Sequence, residues 1–331
     1  MTTSKPLLSV VSPVYEEEAV LPQFHRVLSE VLDGLADEYD AEIILVDDGS
    51  RDGTLPLLRR LAQDDPRVRY CSFSRNFGHQ AAITAGLERA RGDVIVTLDS
   101  DLQHPPSLIP ALLEKWKDGA DVVVTLREDH ASAGVVKRLS SRLFFHLMRL
   151  LSEREVRDAA SDYQLLSRKA LDGLLRLGET HRYLRGMVNW LGFPTAAVSF
   201  RVAPREVGAS KFTFGRLSGF AVDALLSFSK IPLRLPFFLG VAVILVGLGY
   251  GVWGLAQTVL THGPWEPGWI VLLATVHVIG GSILCSVSLV GEYVGRIYEQ
   301  VKGRPLYLLK ESSYDPDAEA MRRGRDQASA A

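Results

Sequence analysis

The stretch VTLDSDLQHPP, residues 96–106, runs an apolar segment into three small polar residues, Asp99, Ser100 and Asp101, and then into two prolines that stop a strand. Two readings follow from the residue types. Asp and Ser are ordinary turn formers, and one of them could cap the helix that starts near Ser107. Alternatively, two carboxylates at i and i+2 on a strand tip offer hard oxygen ligands for Mg²⁺ or Mn²⁺ against the phosphates of a substrate. These residues alone leave both open.

Four further polar clusters could join such a site: SPVYEEE (12–18), DDGS (47–50), SRNFGHQ (74–80) and TLRED (125–129). Short β-rich runs alternate with helical periods throughout the first 126 residues, predicting strands at 7–15, 42–50, 68–74, 94–98 and 121–126. Helices are predicted at 17–35, 54–63, 78–90 and 107–117. Such alternation makes a mostly parallel α/β sheet, in which ligands bind beyond the carboxyl ends of the strands. All five polar clusters, DSDLQ included, fall at those ends. No GxGxxG follows the first strand and no GxxxxGK[ST] occurs, which counts against a dinucleotide oxidoreductase and a P-loop NTPase. His79, His104 and His181 fit no ligand spacing and are expected to be loop or surface histidines.

The elements downstream carry a different signal. Residues 237–260 and 269–291 contain no Asp, Glu, Lys or Arg. Each exceeds the ~20 residues a helix needs to cross a hydrocarbon core. Their connector, THGPWEP, lacks Lys and Arg, whereas Lys230, Arg234, Arg296, Lys302, Arg304 and Lys310 flank the pair, which predicts both ends inside. No apolar run precedes the first polar cluster, so no signal peptide is expected. Residues 213–230 form an apolar face beside Arg216, Asp223 and Lys230 and read as an interfacial or a core helix. The tail from Glu311 is polar and Ala-rich and is expected to be disordered. A chain of 331 residues with 47% apolar content and a net charge of −2 shows no basic, aromatic-interleaved stripe, so no nucleic-acid partner is expected. Cys71 and Cys285 suggest neither a disulfide nor a zinc site. Glycines at 247, 249, 251 and 254, and at 280 and 281, would permit close helix approach in a homo-oligomer.

The motifs SPVYEEE, LVDDGSRDGT, SRNFGHQAAITAGLERARGDVIVTLDSDLQHPP, SDYQLLSRKAL, REVGASKF and GEYVGRIYEQVKGRP span nearly the whole chain. Together they resemble the family 2 glycosyltransferases of GT-A fold, and within them the polyprenyl-phosphate glycosyltransferases with two C-terminal transmembrane helices. The likeness is greatest to enzymes that transfer glucose or a related sugar to undecaprenyl phosphate, with the dolichyl-phosphate mannose synthases further off. It implies a Rossmann-like, mostly parallel sheet with flanking helices over 1–212, a juxtamembrane helix at 213–235, a transmembrane hairpin within 236–293 and a cytoplasmic tail at 294–331. It implies that Asp99 and Asp101 are the metal-binding DxD, with Gln103 in the same shell, and that Asp101 shares in catalysis. Pro13, Tyr15, Glu17 and Asp48 would hold the nucleoside, and Asp162 would be the acceptor-side catalytic aspartate. Arg127, Arg205 and Lys211 would form a cationic clamp, Arg127 at the nucleotide sugar and the other two at the lipid phosphate. The implied reaction is inverting transfer from a nucleotide sugar to a polyprenyl phosphate at the inner face of the cytoplasmic membrane. UDP-glucose is favoured over UDP-N-acetylglucosamine, UDP-galactose and GDP-mannose.

Two other classes were weighed. A processive polysaccharide synthase would need a QxxRW motif, whereas the corresponding region reads HRYLRGMVNWLGF. A nucleotide-sensing subunit of a transporter would call for intramembrane ionisable groups, and the spans offer only His277, with Glu292 just beyond.

Overall fold

The computed structural model describes residues 5–128, 160–180, 182–201 and 269–314, together with single positions between 240 and 260. They fall into two compact units, one of residues 5–128, 160–180, 182–201 and 305–314 and one of the described residues between 240 and 304.

The first unit is built on strands β1 (Leu7–Val14), β2 (Asp40–Asp47), β3 (Val68–Phe73), β4 (Val94–Thr97), β5 (Val122–Glu128), β6 (Ala160–Ser167), β7 (Thr195–Arg201) and β8 (Leu309–Ser312). They form a single sheet in the order β7-β5-β6-β4-β1-β2-β3-β8. β1 pairs in parallel with both β2 and β4, and β2 with β3. β6 lies antiparallel to β4 and β5, and β8 antiparallel to β3. Because β1 is covered on both sides it reads as the unbroken run LLSVVSPV, buried from Leu8 to Val14. The chain leaves β1 toward β2 and returns on its other side to β4. The carboxyl ends of β1 and β4 therefore bound a topological switch point.

Helices α1 (Leu21–Gly34), α2 (Thr54–Asp64), α3 (His79–Arg89), α4 (Ile109–Lys117), α5 (Arg168–Leu175) and α6 (Leu184–Leu191) flank the sheet. Helix α1 opens with a proline in its first turn and buries Leu21, Phe24, Leu28 and Leu32, one stripe at helical spacing. Phe24 is fully buried against the sheet, so Phe24→Ala costs about 3–5 kcal/mol. Helix α3 approaches β1 so closely that a Cβ on Gly86 would lie 2.3 Å from Val11 Cγ1. Glycine at 86 is the condition for that packing.

The tail reading is corrected at residues 311–314, and the remainder of the tail lies outside the described residues. Leu309–Ser312 adds a strand to the sheet edge, and Ser313 and Tyr314 are ordered against β3: the Ser313 N–H donates to the Tyr70 carbonyl at 2.9 Å. Alternation in LKES is too short to read as a strand; what fixes it is the unpaired edge of β3, which it covers.

The second unit holds α7 (Trp269–Lys302), a 34-residue helix that continues beyond the expected end at 291. Val278–Lys302 is long and apolar enough to cross a membrane, and among the described residues it is the one such helix. Its exposed side chains include Val276, Ile283, Val287 and Val290. Most of the first apolar stretch lies outside the described residues, and those described within it, such as Leu245 and Trp253, are helical and exposed. The interfacial segment 213–230, Arg205, Lys211 and His181 also lie outside the described residues.

Candidate active site

The DSD turn is tied to both strands of the switch point. Leu98 donates its N–H to the Val11 carbonyl at 3.1 Å, and Ser100 Oγ donates to the Pro13 carbonyl at 3.1 Å. Asp101 Oδ1 accepts the Gln103 N–H at 3.0 Å, closing a turn in which Leu102 takes a positive φ of 61°. A bulky residue rarely adopts that conformation, and such strain marks sites where geometry is over-determined.

Asp99 lies between two imidazoles. His79 Nε2 is 3.4 Å from Asp99 Oδ1, and His104 Nδ1 is 3.3 Å from Asp99 Oδ2. The bonding network assigns His104 its tautomer: Nδ1 accepts the Asp99 N–H at 3.2 Å, and Nε2–H donates to Ser161 Oγ at 2.8 Å. Burial lowers the His104 pKa against the attraction of Asp99, which suits a neutral ring. For His79, burial also opposes the charge, but its bond to Asp162 and the charge of Asp99 raise the pKa overall. His104 does lie in a loop and His79 is exposed at the start of α3, as expected of loop or surface histidines, and both rings also face the DxD. The motif SRNFGHQ carried His79, but only the packing of α3 over β1 and β2 brings that first residue of the helix to the end of β4.

Asp162, near the start of β6, lies beside the end of β4, where Thr97 Oγ1 donates to its carbonyl at 2.6 Å. Arg185, in the first turn of α6, grips it through two parallel bonds, Nε to Oδ1 at 2.7 Å and Nη2 to Oδ2 at 2.8 Å. His79 Nε2 is 3.5 Å from Asp162 Oδ2, so one ring bridges Asp99 and Asp162. Gln80 fixes the frame by accepting the Leu184 N–H at 3.1 Å and reaching Asp162 Oδ2 through Nε2 at 3.5 Å. Burial disfavours the Asp162 carboxylate, yet the bonds from His79 and Arg185 prevail and hold its pKa far below the ordinary value. Sequence reasoning did not single out Arg185, which lies in HRYLRGM without a recognisable motif.

The DDGS acids build the neighbouring loops. Asp47 accepts from the Ser50 N–H at 2.9 Å and from Ser72 Oγ at 2.6 Å. Asp48 accepts the N–H groups of Phe77 at 2.7 Å and Gly78 at 3.0 Å. Burial raises the Asp48 pKa, and those two N–H groups work against it. Pro13 is the last residue but one of β1, Tyr15 follows the strand with its ring exposed, and the Glu17 N–H donates to Thr54 Oγ1 at 3.1 Å. Arg127 lies in β5, paired with Phe200.

The donor set suits a divalent ion. Asp99 Oδ1 is buried and accepts no hydrogen bond, a rare state for a carboxylate oxygen. No group of three His, Cys, Asp or Glu side chains forms a metal cage among the described residues. Mg²⁺-type chemistry needs one or two carboxylates, with substrate phosphates and water completing the shell.

Residues 9–175 match the model of the family described as Glycosyl transferase family 2. The chain belongs to that family. This family 2 glycosyltransferase is 36% identical to the SfII prophage-derived bactoprenol glucosyl transferase of Shigella flexneri over 92% of its own length and 98% of the relative's. It is 35% identical to the prophage bactoprenol glucosyl transferase homolog of Escherichia coli strain K12, with the same two coverages. A crystal structure of glucosyl-3-phosphoglycerate synthase from Mycobacterium tuberculosis, in complex with Mn²⁺, uridine diphosphate and phosphoglyceric acid, is 21% identical over 67% of this chain and 78% of that one, with a TM-score of 0.44.

Proposed function

We propose that this glycosyltransferase moves glucose from UDP-glucose to a polyprenyl phosphate, with inversion, at the cytoplasmic face of a membrane. The observation that carries the reading is the meeting of two acidic groups at the switch point. The His79 ring joins Asp99, of the DxD, to Asp162, which Arg185 clamps. The names of the relatives, bactoprenol glucosyl transferases, supply the choice of sugar and lipid.

In this reading Pro13, Tyr15, Glu17 and Asp48, with the loop 74–78 that Asp48 holds, form the donor cradle. Asp99 and Asp101, with Gln103, hold Mg²⁺ or Mn²⁺, which when bound stabilises the negative charge gathering on the departing diphosphate. The incoming nucleophile is a phosphate oxygen, already ionised near neutral pH, and needs no strong base. A carboxylate clamped as firmly as Asp162 is a poor proton acceptor. Its role is to orient Arg185, whose remaining N–H donors meet the acceptor phosphate. Arg127, Arg205 and Lys211 add cations for the lipid headgroup. Two like unit charges 4 Å apart repel by about 4 kcal/mol at an effective dielectric of 20, so an anionic acceptor and an anionic donor need such neutralisation. The apolar helices anchor the enzyme where its lipid substrate resides.

The test is to incubate detergent-purified full-length protein with undecaprenyl phosphate and each of radiolabelled UDP-glucose, UDP-N-acetylglucosamine, UDP-galactose and GDP-mannose. Butanol-extractable label only from UDP-glucose is expected. Label from another donor alone overturns the sugar, and water-soluble product alone overturns the lipid acceptor.

A further inference from the structure

The loop that leads from β3 into α3, residues 74–78, is held locally by Arg75, whose guanidinium lies 3.9 Å from the Phe77 ring centroid and donates to the Asn76 carbonyl at 2.9 Å. Gly78 takes a φ of 103°, and no side chain caps the helix that follows. From the front it is held by Asp48 and by Gly49, where an added Cβ would lie 2.4 Å from the carbonyl carbon of Arg75. From behind it is held by residues more than 200 positions away in sequence. The Ser74 N–H donates to the Leu308 carbonyl at 2.9 Å. The Tyr307 ring stacks on Phe73 with centroids 4.7 Å apart and planes at 16°, and Phe73 in turn meets the edge of the Phe77 ring at 5.7 Å. The Tyr307 hydroxyl accepts from Arg89 Nη1 at 2.8 Å and donates to Glu88, both at the far end of α3.

We propose that Tyr307 is a positioning residue for donor binding: stacked on Phe73 and bonded to Glu88 and Arg89, it sets the loop 74–78 and the pitch of α3 that together present Asp48 and His79. This rests on the donor cradle proposed above. Tyr307 touches neither the DxD nor Asp162 in the contacts described, so its effect is indirect and passes through Phe73 to Phe77. An aromatic pair of this geometry contributes beyond its buried area, and its loss lets Phe77 and the two N–H groups on Asp48 shift together. The same segment offers an internal control. Glu311 anchors β8 through Arg59 and Tyr70, away from the loop.

The experiment measures UDP and GDP affinity by calorimetry, with thermal midpoints, on the full-length protein in detergent with Mn²⁺ present. Tyr307→Ala is expected to weaken the preferred nucleotide by ~10-fold or more, raising the donor KM with a smaller change in kcat. Tyr307→Phe keeps the stack and stays within ~3-fold of wild type. Tyr307→Leu retains apolar bulk without the planar face and should behave like Tyr307→Ala, which keeps the test usable should the alanine variant fold poorly. Glu311→Gln should lower the thermal midpoint with nucleotide affinity unchanged. Unchanged affinity in Tyr307→Leu overturns the inference, and so does an equal loss in Glu311→Gln, which would show general destabilisation. A wild-type protein that binds neither nucleotide overturns the donor-cradle reading itself and the inference with it.

Discussion

Arg185 and Asp162 form a two-point ion pair, with nitrogen to oxygen distances of 2.7 and 2.8 Å, beside Asp99 and His79 in the candidate site. The pair joins the start of α6 to the start of β6 across 23 residues of sequence. It commits the carboxylate to its charged form, and in the proposed function Asp162 acts through the guanidinium it orients.

Asp162→Asn therefore loses one of the two bonds and is expected to cut transfer by ~100-fold, the scale of a charge-assisted contact in a water-poor site. Since the Asp162 pKa lies far below its ordinary value, the carboxylate stays ionised across the working range. The pH dependence of kcat should keep its shape in the variant. An acid limb present in wild type and absent in Asp162→Asn would establish proton transfer instead.

Asp99→Asn and Asp101→Asn are each expected to lower transfer by ~100-fold or more and to weaken Mn²⁺ binding. Mn²⁺ electron paramagnetic resonance titration with UDP present reads the metal directly, apart from turnover. Full activity of wild type in excess chelator would remove the metal from the reaction.

Gly49 has a φ of +71° and no room for a methyl group beside Arg75. Gly49→Ala adds about 1–2 kcal/mol of left-handed strain and about 1–3 kcal/mol of overpacking. A fall in chemical-denaturation stability by at least ~2 kcal/mol is expected, and a variant as stable as wild type would show that the loop relaxes freely.

Glu311 is held at a pKa of about 2, against an ordinary 4.5, chiefly by its bonds from Arg59 and Tyr70. A depressed carboxylate pKa contributes stability that is fully present above the unfolded value and is lost as pH falls through the folded one. Glu311→Gln should thus melt below wild type at pH 7. The gap in thermal midpoint should narrow between pH 4.5 and about 2 and close there. A constant gap would assign the loss to packing.

Lys211→Ala is expected to leave UDP affinity within ~2-fold and to cut transfer to lipid by ~100-fold. Parallel loss of donor affinity would move this cation from the acceptor to the nucleotide.

The sequence by itself determined the mostly parallel sheet, because strands buried on both faces are near-continuous apolar runs such as LLSVVSPV and the helices between them carry a single stripe such as Leu21, Phe24, Leu28 and Leu32. It also marked the candidate site, since the polar clusters sit at the strand ends and DSDLQHPP cannot continue a strand. These are local patterns, legible wherever backbone periodicity and burial coincide. Only the tertiary structure decided which groups meet. His79 reaches Asp99 and Asp162 because α3 packs over β1, beside which β4 and then β6 lie in the sheet, and Arg185 reaches Asp162 because Gln80 fixes the start of α6. Tyr307 reaches Phe73 because the edge of β3 takes up a strand from the far end of the chain. No periodicity encodes such contacts: each depends on side chains distant in sequence arriving within a few ångströms, and that distance is set by strand order and packing.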